Sequence, residues 1–271
     1  RNNQLDTLIQ QIINGVMLGS IYALIALGYT MVYGILRIIN FAHGDILMVG
    51  ALTTLSGMHA LNAHFPTLPP LAQLGLALVL AMAVCALLAM AVERFAYRRL
   101  RNAPRLAPLI SGIGVSVLLQ TVAMIVWSRN PLMFPQILSM DAIAVTHGSA
   151  AHPPALVTVT GIVTVALAFA VMLGLWLLVE YTRLGRGMRA VAENPRIATL
   201  MGVNPNAIIA LTFAIGGIFA ALAGVMMASN YGNASFSMGF LPGIKAFTAA
   251  VLGGIGNIRG AMIGGLLLGL I

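Results

Sequence analysis

Apolar residues in this chain run on continuously, with neither the stripe of a surface helix nor the alternation of a half-buried strand. Charge-free stretches cover residues 7–36, 46–92, 106–128, 142–179 and 197–244. Each is at least as long as the roughly 20 apolar residues an α-helix needs to cross a hydrocarbon core. Leu74–Val92 and Leu156–Val179 lack the in-and-out alternation of a membrane barrel strand. Away from water the backbone must satisfy its own hydrogen bonds, which a continuous apolar run does as a helix. The pattern therefore predicts an all-α, polytopic membrane bundle with spans near 8–33, 40–60, 71–92, 106–127, 155–179 and 207–228. After these, Gly243–Gly256 is too short and glycine-rich for a comfortable crossing and reads as a re-entrant or broken helix. With the last apolar run, the expectation is about eight membrane segments in a single transmembrane domain over residues 1–271.

Composition agrees: 60% of residues are hydrophobic and mean hydropathy is +0.98, values that exclude an ordinary soluble domain. The chain starts at Arg1 and stops inside the apolar run Gly264–Ile271, so both ends look trimmed. The net charge of +8 comes from arginines in islands between apolar spans, which points to membrane orientation and not to nucleic acid. Two islands, Glu93–Arg105 and Arg183–Arg196, are expected on the cytoplasmic side, the second within a long loop at about 180–206, and the segment at about 128–154 reads as the long outside loop. The first two spans then place the N-terminus outside. If the 40–60 segment is re-entrant, the N-terminus lies inside instead.

Small residues recur at four-residue spacing: Gly15 and Gly19; Gly216, Ala220 and Gly224; Gly256, Gly260 and Gly264. That spacing lets helix backbones approach closely, which makes bundle packing the expected role. Cys85 lies mid-span and reads as a small buried residue. No disulfide framework, metal cluster, P-loop, Gly-x-Ser-x-Gly or His-Glu-x-x-His motif is present, so neither an enzyme nor an ATP-binding chain is expected.

Two segments carry polar chemistry. Asn40, His43 and Asp45 sit beside membrane-depth apolar residues, where unpaired polar groups are costly. Either Asn40 or Asp45 caps the next helix, or the three line a polar pathway between helices. The second segment, Tyr181–Asn206, is too long for a tight turn. Asn194-Pro195 is expected to start a short helix that Gly202 stops, with Glu193 and Arg196 available for ion pairs. Such a helix, parallel to the membrane, is a surface for docking a cytoplasmic protein.

The combination of Asn14-Gly15 through Tyr22–Gly34, then Ile39-Asn40-Phe41-Ala42-His43-Gly44-Asp45, Arg183–Asn194, Ala198–Gly202 and Val251–Gly260 resembles the LivH-type permeases of branched-chain amino acid ABC importers. The resemblance covers essentially the whole chain, and the related urea permeases share much of it. It implies a bacterial inner-membrane subunit with no cofactor of its own. The implied partners are a second, LivM-like permease, two ATP-binding cassette subunits, a periplasmic substrate-binding protein and membrane lipid. By analogy the coupling residues are Arg189, Glu193, Asn194, Pro195, Arg196, Ala198 and Gly202. The usual importer loop, Glu-Ala-Ala followed by Gly, is replaced here by Glu193-Asn194-Pro195, with Gly202 nine residues after Glu193.

Branched-chain amino acids need an apolar wall, donors for the carboxylate and acceptors for the ammonium. Pathway candidates at membrane depth are Asn14, Tyr22, Thr30, Asn40, His43, Asp45, Ser111, Ser116, Gln120, Thr121 and Thr248, with backbone amides near Gly243–Gly256 as carboxylate donors. The alternatives are an ABC permease for urea, short amides or other amino acids, and, from another class, an ion-coupled secondary transporter. The latter would place ionisable residues within its helices, against which the long charge-free spans argue.

Overall fold

The computed structural model describes residues 2–101, 103–104, 106–137, 142–144 and 154–271. Within them are ten α-helices: α1 Asn2–Leu36, α2 His43–His64, α3 Pro70–Val92, α4 Leu106–Val126, α5 Val159–Tyr181, α6 Arg183–Glu193, α7 Pro195–Leu200, α8 Pro205–Tyr231, α9 Phe240–Leu252 and α10 Ile258–Leu270. Six are long and apolar enough to cross a membrane, and α9 and α10 are shorter apolar helices. The chain is thus a polytopic helical membrane protein, with its spans where the apolar runs place them.

Helix limits follow local chemistry. Thr158 accepts a hydrogen bond from the Gly161 amide and so starts α5, a few residues later than the apolar run suggests, because Leu156–Thr158 is a strand. Asn204 caps α8 ahead of Pro205, whose missing N–H and fixed φ suit the first helical position. At the other end, Gly232 closes α8 with φ +67°, a conformation that favours glycine. Four short strands were not expected from the apolar pattern. β1 Leu132–Met133 pairs antiparallel with β4 Asn233–Ala234, and β2 Ala142–Ala144 with β3 Leu156–Thr158. Residues 138–141, with Asp141, and 145–153 of the 128–154 loop lie outside the described residues.

The open question about the N-terminus is decided by α2, which is a full helix of 22 residues. Gln10, near the start of α1, accepts a hydrogen bond from the Leu156 amide and donates to its carbonyl. The other end of α1, at Met31, Gly34 and Ile35, shares a cavity with Met188 and Arg189 of α6. The N-terminus is therefore on the face opposite the arginine-rich α6–α7 segment. Re-entrance exists, but in the connection. Arg37 takes φ +53°, the chain turns back, and His43 comes to lie against Gly28, well inside α1. Residues 38–42 are non-helical backbone folded back against the bundle, with Asn40 and Ala42 buried in it, the setting in which such backbone is tolerated in a membrane protein.

The small-residue stripes are packing seams. Gly15 and Gly19 meet the backbone of α10 at Gly269 and Leu266, Gly224 meets Leu47 of α2, and Gly264 meets Ala249 of α9. Near the turn between α9 and α10, Gly253 and Gly260 are in backbone contact. The expected broken helix is thus two antiparallel half-length helices, with α10 laid along α1. Cys85 is fully buried and its thiol donates to the Ile46 carbonyl.

Candidate functional site

The start of α2 gathers a buried polar junction. Asn40, His43 and Asp45 are each almost fully buried. The N-cap position of α2 is Ala42, with no side-chain capping bond, so helix capping by Asn40 or Asp45 is not what the fold uses. Instead, the Asn40 carbonyl oxygen accepts the Tyr97 hydroxyl at 3.1 Å and the Ala42 amide at 3.2 Å. Asp45 accepts from the Gln120 amide at 3.0 Å, and Gln120 reaches the Ser116 hydroxyl one turn back on α4. His43 stacks edge-on to Tyr29, with centroids 5.0 Å apart, and its Nε2 has no hydrogen-bond partner. A Cβ at Gly28 would strike that ring, so Gly28 is the slot that admits the imidazole.

The remaining pathway candidates disperse. Thr30 is buried with an unpartnered hydroxyl, at the cavity between α1 and α6. Asn14 accepts from Gln10 and lines a cavity of ≈ 590 Å³ between the outer ends of α1 and α5. Ser111 donates to the Ala96 carbonyl, tying α4 to the extension of α3. Thr121 and Thr248 are exposed, and each bonds its own helix, at the Val117 and Ile244 carbonyls. Tyr22 lies under the Lys245 ammonium, 5.8 Å from its ring centre. Of the glycine-rich amides expected to be carboxylate donors, those of Gly243, Gly253 and Gly254 already donate to the Gly239, Ala249 and Val251 carbonyls.

The 181–206 segment has more structure than a single short helix. Thr182 caps α6, a helix that the residues before Asn194 do not announce. Gly185, Gly187, Met188 and Val191 of α6 face inward, while Arg183, Arg186 and Arg189 face outward. Arg189 donates to the Val179 and Glu180 carbonyls and pairs with the Glu180 carboxylate at 3.8 Å, so it secures α6 to the end of α5.

Asn194 starts α7 as expected. Its side-chain oxygen accepts from the Arg196 and Ile197 amides, and Pro195 takes the first helical position. Gly202, at φ +82°, ends α7, with its amide on the Thr199 carbonyl and that of Val203 on Ala198. This is the paired bonding of a glycine-terminated helix. Glu193 and Arg196 are both exposed, and the ion pairs among the described residues do not include them. Ala198 is buried on the inner side of α7.

Two features here escaped the sequence reading. Ile197, Leu200 and Met201 are strongly exposed, Leu200 at 85%, giving α7 an apolar outer face. The signal available was the adjacent pair Leu200-Met201 immediately before Gly202. The second is a clamp under the segment. Glu93 is completely buried and binds both Arg98, at 2.8 Å, and Arg101. Arg101 also donates to Asn206 at 2.7 Å, joining the extension of α3 to the first turn of α8. That extension is a π-helical turn, Glu93–Tyr97, followed by a 3₁₀ turn, Arg98–Leu100. It rotates Glu93 and Tyr97 inward, which an uninterrupted apolar pattern does not announce.

Residues 11–271 match the model of a family described as the permease component of branched-chain amino acid transport systems. The chain is 44% identical over 261 residues to the high-affinity branched-chain amino acid transport system permease protein BraD of Pseudomonas aeruginosa, covering 96% of this chain and 84% of the relative. It is 43% identical over 263 residues to LivH, the corresponding permease protein of Escherichia coli, covering 97% and 84%. The ribose import permease protein RbsC of Escherichia coli is more distant, at 27% identity over 257 residues, 92% of this chain and 73% of the relative. No solved structure matches. A polytopic helical bundle and these relatives lead to one assignment: the chain is a multi-pass membrane permease and belongs to the family of permease components of branched-chain amino acid transport systems.

Proposed function

We propose that this chain is one of two permease subunits of an ATP-driven importer in the bacterial inner membrane, carrying leucine, isoleucine and valine by alternating access. Its partners in this reading are a second, LivM-like permease, two ATP-binding cassette subunits and a periplasmic substrate-binding protein. Nucleotide is bound by the cassette subunits and no cofactor by this chain, which holds no nucleotide-binding motif.

The observation that carries the reading is α7. It is rigidly capped at both ends, apolar on its outer face and attached through α6 to the inner end of α1. An exposed apolar face of this kind marks a protein contact. A cassette subunit that grips α7 differently in its two states biases the bundle, because only differential contacts shift a conformational equilibrium. Arg189, Glu193, Asn194, Pro195, Arg196, Ala198 and Gly202 serve that coupling in different ways. Arg189, Asn194, Pro195, Ala198 and Gly202 hold the shape, while Glu193 and Arg196 face the cassette beside Ile197, Leu200 and Met201.

The test is uptake of labelled leucine and, separately, urea into proteoliposomes holding this chain with its neighbouring permease, cassette subunits and binding protein. Leucine uptake that needs ATP and the binding protein is expected. Urea uptake alone would move the cargo and keep the architecture, and gradient-driven uptake without ATP would overturn the importer reading.

A further inference from the structure

The chain's single lysine is Lys245, near the middle of α9. One face of α9 packs inward through Pro242, Gly243, Ala246, Ala249 and Ala250. The opposite face is exposed and carries Leu241, Ile244, Lys245, Thr248, Val251 and Leu252. Lys245 sits over the ring of Tyr22, and Phe247 packs at 6.0 Å against Tyr29. Tyr22 lies near the middle of the 35-residue α1, so the ammonium over it is at hydrocarbon depth. Tyr231, the last residue of α8 and half exposed, is close enough to interact electrostatically with Tyr22 and Lys245. The cluster therefore opens toward the outer end of the bundle, where β4 follows α8.

An ammonium group at this depth is costly when it faces lipid, and such residues face a water-filled path or an opposite charge. Among the described residues no carboxylate pairs with Lys245; the ion pairs are Glu93 with Arg98 and Arg101, and Glu180 with Arg189. The group keeps three donors to offer. Around it are aliphatic side chains on the same helix face and phenol rings on two neighbouring helices. That set complements a small zwitterion with a branched apolar side chain: cation to carboxylate, tyrosine ring and hydroxyl to ammonium, and Leu241, Ile244 and Val251 to the hydrocarbon.

We propose that Lys245, with Tyr22 and Tyr231, forms a carboxylate-binding station on the outer half of the translocation path, with Thr248 on the same wall. The assignment rests on the importer reading above and specifies where the cargo is held. It also replaces the glycine-rich amides of α9 and its following turn, which are occupied, as the donors to the carboxylate.

The experiment compares wild type, Lys245→Met and Lys245→Arg in the complete reconstituted complex. It measures labelled leucine transported per ATP hydrolysed, together with the amount of assembled complex. Expected is a fall of about tenfold or more in Lys245→Met, the scale of a lost charge-assisted hydrogen bond, with Lys245→Arg within about twofold of wild type. An unchanged ratio in Lys245→Met overturns the station. Equal defects in Lys245→Met and Lys245→Arg, or failure of either to assemble with the second permease, also overturn it and make Lys245 a packing or subunit-pairing residue. A wild-type complex that imports no leucine is a different result, visible before any variant is measured, and removes the importer reading on which the station depends.

Discussion

The start of α2 and the α6–α7 segment are both polar interruptions in an apolar chain, and the protein treats them in opposite ways. At α2, Asn40 and Asp45 are taken into the bundle and matched to Tyr97 of α3's extension and Gln120 of α4, while His43 is held edge-on against Tyr29 with its Nε2 unpartnered. At α7, the polar groups build only the helix itself, through Asn194 and Gly202, and leave Ile197, Leu200 and Met201 uncovered. The difference is one of environment. In a buried site each unpaired polar atom costs free energy, which is why Asn40 and Asp45 come with dedicated partners and the unpartnered His43 Nε2 is the exception. At the aqueous face that penalty vanishes, and an uncovered apolar surface is the informative departure. Substitutions in the first region should therefore act on folding, and those in the second on coupling.

Gly239→Val should have the largest effect on the folded chain. A Cβ at Gly239 would lie 2.0 Å from the Gly44 carbonyl oxygen, and backbone cannot yield as a side-chain tip does. A loss of about 3 kcal/mol, at the upper end for overpacking, should appear as a sharp fall in monodisperse protein extracted from membranes. Normal yield would mean that α9 is free to move away from α2.

Asp45→Leu removes one acceptor of the half-buried Gln120 amide, which keeps Ser116, so the loss should be about 1 kcal/mol, the scale of one hydrogen bond to a charged group less what Ser116 retains. Thermal unfolding in detergent should shift down accordingly. Asp45→Asn retains a carbonyl acceptor, so its abundance should be near normal; leucine uptake that nonetheless falls several-fold would place Asp45 on the pathway, and normal uptake would leave it a structural partner of α4.

Gly202→Arg should cost about 1–2 kcal/mol, for a side chain held at positive φ, since nothing lies within 4 Å of the added Cβ. Its larger consequence should be ATP hydrolysis without uptake. Reversing both charges, Glu193→Lys with Arg196→Glu, should change stability by less than about 0.5 kcal/mol, as exposed substitutions usually do, while reducing uptake per ATP. Normal uptake by both variants at normal abundance would remove α7 from the coupling role and erase the contrast between the two regions.

A second contrast runs through the spans themselves. In their most apolar windows α1, α2 and α8 are 61%, 61% and 67% buried within the chain, whereas α3, α4 and α5 are 28%, 22% and 22% buried. Hydropathy does not separate these groups as burial does, because in a bilayer lipid-facing and protein-facing positions are both apolar. The better marker is residue size: Gly28, Gly44, Gly50 and Gly224 sit where another backbone or ring approaches, while α4 presents Ile110, Val117, Leu118 and Ile125 outward.

From the residues alone, the helical membrane class, five of the six long spans, the glycine-rich segment at 243–256 too short for a full crossing and the Asn194–Gly202 helix were legible. Each depends on local rules: run length against bilayer thickness, side-chain and proline caps, and glycine at positive φ. Only the tertiary structure decided that α2 is a full span preceded by re-entrant backbone, because that turns on His43 fitting the slot at Gly28. The same holds for the partners of Asp45 and Glu93, which lie 75 residues away on α4 in the first case and within the π-helical and 3₁₀ extension in the second. Lys245 was visible as a lone cation, but its place over Tyr22 was not. A charge in an apolar run signals its cost in sequence, whereas the group that offsets that cost is chosen by helices brought together across the bundle.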